Sequence, residues 1–420
     1  MKLQRVPILE LVGPGMVQVT GHAGDDRVAL ERGLTCGHNG VTMIHHLAHG
    51  SPAAAAVLHE ATEGRVVVTG SEGGLRINTL IVSTGNDRLW EKQKGGWRVA
   101  LDERTQEVIV RYPLRISSQL RALENALLGT DMAQRSPHLL GLLAYLAVCS
   151  RIKAENAHQL AERVRLYDAE VVLKAGRDQR KPFAQLIVDS PDDGTFGVSP
   201  RAGVDLGLRL ISFAQSDRLT WLPLWRALQL LEDNATKLFE HDHLTPLVFD
   251  CCREWMRRRV EDDLLRAMHG NELETLPEEE AKLYLEHVVP KLHGGQVEDA
   301  SSGQHQAPDD ALLEAMEGIV GIADEAAREQ FRTGLAPRLA ARIRTGDSHS
   351  EELAEVLRFA AKTKVRARLL PPLVQLLRAD HPDERERAKL ARMREGLVNL
   401  GYAETSLDEV IGWAKKHLPD

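Results

Sequence analysis

A chain of 420 residues with 43% hydrophobic and 27% charged residues and a formal net charge of −8 exceeds what one hydrophobic core usually supports. It is expected to form two or three globular domains. The negative balance argues against a surface built throughout to neutralise phosphate. Cys36, Cys149, Cys251 and Cys252 form no CxxC pair and no disulfide framework, so a reducing, cytoplasmic setting is expected.

The first fourteen residues lack the apolar stretch of a secretory signal. From there to about residue 116 the chain is rich in glycine, and no Phe or Tyr precedes Tyr112. Short β-branched runs at 17–19, 66–68 and 80–82 each end in glycine-containing punctuation and read as strands. Residues 97–101 and 108–114, separated by a polar turn, read as a hairpin. Between these strands Ser51-Pro52 opens the helical run AAAAVLHEAT.

After Ser117 the apolar period lengthens to that of helices. Ser117, Ser136-Pro137 and Thr245-Pro246 mark three helix starts, and Gly129 and Gly270 mark stops. The run LLGLLAYLAVC, residues 139–149, is far short of the ~20 residues that span a bilayer and reads as a buried helix, so no membrane partner is expected. Residues 183–188 read as a strand and 191–207 as a loop. Residues 294–308, without apolar period, read as a linker. Beyond it helices are broken at Pro371-Pro372 and near Pro382. Leu390, Met393, Leu397 and Leu400 share one helical face, and Ser406 with Glu409 predicts a capping box for the last helix.

The fold class expected from these elements is α+β: a glycine-rich, mainly antiparallel sheet domain over residues 1–116, followed by a large, mostly α-helical region. That region divides into 117–293, the linker 294–308 and a carboxy-terminal helical domain, 309–420.

Four constellations carry chemical expectations. Were residues 41–49 helical, His45 and His49 would lie one turn apart, and with His38 and Cys36 they would offer ligands for zinc; HHLAH lacks the glutamate that a metalloprotease helix places after its first histidine. Arg76 and Arg88 each adjoin a glycine turn whose backbone amides can form an anion-binding nest. The loops VTGHAGDDR and VTGSEGGLR resemble a dinucleotide turn only loosely, and no P-loop pattern occurs in the sequence. Trp221, Trp225, Trp255, Arg257 and Arg258 concentrate residue types that favour protein interfaces. Arg385, Lys389 and Arg392 form a basic helical stripe that could face nucleic acid.

With no nucleophile elbow or other catalytic motif, the leading expectation is a non-catalytic cytoplasmic interaction or regulatory protein without a cofactor, its helical region docking a protein partner. The alternatives are a metal-dependent hydrolase or metal-binding domain built on the histidines, and a nucleic-acid-binding accessory built on the basic stripe.

Overall fold

The computed structural model describes residues 9–11, 16–20, 30, 34–35, 39–45, 52–64, 66–68, 74–85, 104–127, 129–130, 137–174, 177–216, 222–234, 244–298, 303–334 and 349–419. The chain divides into two compact units, Met1–Ile109 and Val110–Asp420.

In the first unit β1 (Leu9–Leu11), β2 (Met16–Thr20), β3 (Gly40–His45) and β6 (Thr79–Ser83) form one sheet in the order β1-β2-β3-β6. A separate antiparallel pair joins β4 (Val66–Val68) to β5 (Gly74–Arg76). The sheet is mixed, contrary to the mainly antiparallel one expected: β1 runs antiparallel to β2, but β2–β3 and β3–β6 are parallel. The reason lies in α1 (Pro52–Gly64), which separates β3 from β6 in sequence; parallel neighbours need such a crossover, whereas a hairpin turn cannot make one. Val57, Leu58 and Ala61 of α1 share a buried cluster with Leu30, Leu34, Ile44 and Ile77. Buried Thr42 meets Thr79 on the neighbouring strand, hydroxyl to hydroxyl at 3.0 Å. The predicted hairpin is absent where it can be seen. Residues 105–114 form no strand, and residues 97–101 lie outside the described ones.

Among its described residues the second unit is helical apart from two very short strand pairs, β7 (Leu173–Lys174) with β8 (Arg177–Asp178) and β9 (Val297–Glu298) with β10 (His305–Gln306). Across the described residues helix far outweighs strand, so the expected α+β class gives way to a mostly α-helical protein.

The first core of this unit gathers α2 (Ile116–Leu127), α3 (Leu139–Cys149), α4 (Ala157–Tyr167), α6 (Pro200–Ser216) and α7 (Leu224–Asp233). The all-apolar α3 is its axis, with Leu142, Leu143, Leu146 and Val148 out of contact with water. α2 starts where the amide of Ile116 donates to the carboxylate of Asp168, 52 residues away, at 3.0 Å, so its first turn is capped through tertiary structure rather than by Ser117.

Two further expectations fail here. Residues Phe183–Asp189 form helix α5 and not a strand, with Leu186 its one buried residue. Helix α6 begins at Pro200, inside the predicted loop, with the Ser199 hydroxyl accepting from the amide of Ala202 at 3.1 Å. The glycines that suggested a loop are points of close approach: a Cβ on Gly207 would stand 2.7 Å from Cδ1 of Leu127.

α8 (Pro246–His269) leaves this core for a second one. Val248, Phe249, Cys252 and Met256 belong to the first, whereas Val260, Leu264, Leu265 and Ala267 pack with α12 (Glu384–Asn399) and α13 (Leu407–His417). α9 (Glu272–His293) and α10 (Asp310–Ile319) build a third core with Val356, Leu357, Ala360 and Ala361 of α11 (His349–Arg378). α11 then delivers Leu373, Val374 and Leu377 to the second core.

That helix runs through Pro371 and Pro372, where a break was expected. Proline forfeits a backbone hydrogen bond within the helix, but the buried residues on both sides of the pair keep the axis continuous. Nor does Ser406 form a capping box: its backbone is already helical and its hydroxyl donates to the carbonyl of Ala403 at 2.6 Å. The box stands instead at α12, where Asp383 and Glu386 cap each other's amides. Met393 and Leu397 of the predicted apolar face are buried, while Leu400 lies past the helix end and is exposed. Among the described residues no helix is long and apolar enough to cross a membrane.

Candidate functional site

Charged residues gather on α8 at the changeover between its two cores. A 24-residue helix that packs on several sides has no single apolar face, so the run Glu261-Asp262-Asp263 is drawn inward, with Glu261 and Asp263 both buried. Buried carboxylates must be paired. Glu261 meets Arg257 at 2.5 Å and also Arg366 of α11, and Arg366 reaches Asp262 at 2.7 Å. Burial works against the charge of Arg257, yet Glu254 and Glu261 hold its guanidinium above the usual range.

Asp263 has a different set of partners. Its Oδ2 accepts from the Tyr402 hydroxyl and from Nε2 of His138, each at 2.7 Å. Burial first, and then the Asp263 charge, drive the Tyr402 phenol far above its ordinary value, so it stays a donor. His138 occupies the N-cap of α3 with φ 63°, the left-handed region, and makes no side-chain cap bond. Its side chain is 30% exposed against 5% for Asp263. The imidazole meets the Trp255 ring edge-on at 6.5 Å. Trp255 stacks on Tyr145 at 5.4 Å and lies so near Gly141 that a Cβ there would stand 3.1 Å from its ring.

Arg259 places its guanidinium over the same Trp255 ring, 5.2 Å from the centroid. Trp255, Arg259 and Asp263, at spacings of four, form one stripe of α8. Among the described residues no carboxylate pairs with Arg259. The stripe therefore presents an imidazole whose Nε2 hydrogen is committed to Asp263, leaving the Nδ1 lone pair, and a guanidinium beside it with unused donors.

Two other polar clusters are structural in form. Arg151 is wholly buried without a carboxylate: it donates to the carbonyls of Val198 at 2.7 Å and Pro113 at 2.6 Å and to Oε1 of Gln119 at 2.8 Å, and burial lowers its pKa to about 10. Buried Asp193 accepts from Tyr167 at 2.8 Å and from the Lys153 amide at 3.1 Å, and it pairs with Arg163. Beside them a shallow cavity of about 210 Å³ is lined by Arg163, Tyr167, Gln179, Lys181 and Asp189. Cys149, Cys251 and Cys252 are free, buried thiols. Burial, then neighbouring thiols, push Cys149 well up and Cys251 to about 12, so neither is a ready nucleophile.

The residues singled out in the sequence are scattered. His45 ends β3, so the stretch from 41 to 45 is strand and not helix; β-branched Val41, Thr42 and Ile44 lie between two parallel neighbours, which overrides the imagined helical pairing. Cys36, His38, His49, Arg88 and Trp221 lie outside the described residues. Among the described residues no group of three His, Cys, Asp or Glu side chains is placed to hold a metal ion. Arg76 is exposed at the end of β5. Trp225 stacks on Trp413 at 5.5 Å, and Trp255 packs inward, so both serve the interior of the unit. Arg257 is paired within α8, and Arg258, more exposed, pairs with Glu254 at 2.8 Å. Arg385, Lys389 and Arg392 project from α12 exposed to solvent. The sequence reading passed over His138, Asp263 and Tyr402. The one available signal was the acidic run 261–263, which a solvated face explained equally well.

Residues 161–413, from α4 to α13, match the family described as PrkA serine protein kinase C-terminal domain. The chain belongs to this family. Among curated proteins it is similar to the ATP-dependent protease PrkA of Bacillus subtilis (strain 168), with 25% identity over 325 residues. That alignment takes in 74% of this chain and 50% of the relative, so the chain spans about half the length of the PrkA protein it matches. No solved structure matches. Asp263, Arg259, Trp255 and Tyr402 fall inside the PrkA-matched residues, and His138 precedes them. The PrkA names, a kinase in one case and an ATP-dependent protease in the other, overturn the expectation of a non-catalytic interaction protein. They name neither a metal-dependent hydrolase nor a nucleic-acid-binding accessory.

Proposed function

We propose that this chain acts in ATP-dependent phosphoryl transfer to serine hydroxyls of proteins. The observation that carries the reading is the match of its helical body to a family named for serine protein kinase activity; the ATP dependence in the name of the Bacillus relative agrees with it. The stripe on α8 supports it in chemical terms. Phosphoryl transfer asks for positioned cations and a proton acceptor rather than a covalent nucleophile, and Arg259 on the stripe and His138 beside it are residues of those kinds.

The rival reading is the proteolysis that the relative's name states. An acyl-enzyme needs a hydroxyl or thiol beside a base. In the helical body Ser150, Thr363 and Ser406 donate to the carbonyls of Ala147, Phe359 and Ala403, and Cys251 to that of Ala157, which is no such arrangement. The experiment incubates the full chain with magnesium and γ-labelled ATP and a mixed protein substrate, following phosphate incorporation and substrate cleavage together. Label on serine is the expected result; ATP-dependent cleavage without labelled protein would replace the kinase reading with the protease one.

A further inference from the structure

We propose that His138, Asp263 and Arg259 form the phosphoryl-transfer site itself, with His138 as the proton acceptor for the attacking hydroxyl. This rests on the kinase reading above. Asp263, buried and fixed by Tyr402 at 2.7 Å, takes the Nε2 hydrogen of His138, which leaves Nδ1 as the basic nitrogen on a side chain that reaches solvent. The same constellation orients bases in hydroxyl activation on unrelated folds. His138 holds a left-handed backbone conformation, unfavourable for a residue other than glycine, so the ring is held there by its surroundings. Arg259 lies over the ring of Trp255 and His138 stands at right angles to that same ring. A guanidinium without a carboxylate partner suits a phosphoryl group over a neutral acyl centre.

In the step proposed, a substrate serine Oγ attacks the γ-phosphorus of ATP while its proton passes to Nδ1 of His138. The new Oγ–P bond forms as the bond from phosphorus to the bridging oxygen breaks, and ADP departs with that electron pair. The imidazolium is held by the Asp263 carboxylate until it returns its proton to solvent, and Arg259 offsets charge on the transferring group. Asp263 and Tyr402 act through His138 and are positioning residues.

The test uses the full chain with ¹⁵N-labelled histidine and arginine, titrated with inorganic phosphate and followed by the ring and guanidinium resonances. The His138 ring should show the Nε2-protonated tautomer, and phosphate should shift both His138 and Arg259. Asp263→Asn should abolish the tautomer preference, which a purely structural role for the carboxylate would not require. His138→Gln should lower kcat about 100-fold, with KM for ATP within about 2-fold. Arg259→Gln, a milder change because the side chain makes no ion pair among the described residues, should weaken the phosphate response about 10-fold at an unaltered melting temperature. The site is overturned if phosphate moves neither residue, or if His138→Gln keeps wild-type kcat. Phosphate shifts at both residues without any incorporation of label by the wild-type chain would sink the transfer step and the kinase reading together, leaving an anion site alone.

Discussion

Single residues in the helical body hold positions that no other side chain fits. Arg151 donates to the carbonyl of Val198 in the loop 190–199, to that of Pro113 and to Gln119 of α2, and its backbone carbonyl accepts from the amide of Gly194 in that loop at 2.9 Å. Replacing it by methionine, Arg151→Met, strands the Val198, Pro113 and Gln119 acceptors in the interior. The loss expected is at least about 3 kcal/mol, since each of the three buried groups left unmade costs ~1–3 kcal/mol, and urea unfolding of the full chain measures it. Gly197 in the same loop has φ +91° and leaves a Cβ only 2.4 Å from the Ser150 carbonyl. Gly197→Ala should therefore destabilise by more than the ~1 kcal/mol of conformation alone. A melting temperature equal to that of the wild type would contradict this account of the loop.

Helices in this chain are positioned by contacts their own sequences announce only in part. α8 and α12 approach so closely that a Cβ on Gly396 would stand 2.5 Å from the carbonyl oxygen of Ala267 and 2.6 Å from its Cα. Because the obstacle is backbone, Gly396→Ala must push the helices apart; a cost of about 2–4 kcal/mol is expected from overpacking. The capping box at the start of α12 is a local device with a local price. Asp383→Ala should cost ~1 kcal/mol and leave the α8 crossing unchanged, so the double variant with Gly396→Ala should be additive within about 0.5 kcal/mol. A coupling larger than that, measured by chemical denaturation of the four chains, would show that the cap and the crossing form one unit.

Across the whole molecule the buried phenols and thiols set a common response to alkali. Burial is the first cause by which Tyr145, Tyr284 and Tyr402 are raised above 10.0 and Cys149 and Cys251 above 9.0. The folded chain thus keeps protons that the unfolded chain releases, and stability is lost as pH rises from about 9. The urea midpoint should fall between pH 8 and pH 10, and Cys149→Ala should flatten the slope. At the sequence junction of the two units Val108, Ile109 and Val110 are exposed by 75%, 64% and 88% in a stretch without regular structure. Elastase, which cuts after small β-branched residues, should cleave there first; mass spectrometry of the early fragments shows whether it does.

Much of the helical body was legible in the order of its residues. The apolar run 139–149 specifies a helix with no polar face, hence a buried one, and Thr245-Pro246 and Gly270 bound α8 because proline and glycine act through local backbone preferences. Glycines misled at Gly203 and Gly207, since a glycine that relieves a helix contact and one that makes a turn are the same letter. Strand direction was equally hidden: the β3–β6 pairing is parallel because α1 crosses between them, a fact of connection in space rather than of composition. The candidate site is the clearest case. By itself the sequence determined that Glu261, Asp262 and Asp263 lie on a helix, through the period of their apolar neighbours. Only the tertiary structure decided that Asp263 turns to His138 and Tyr402, which are 125 and 139 residues away, because pairing a buried carboxylate depends on which cores close around it.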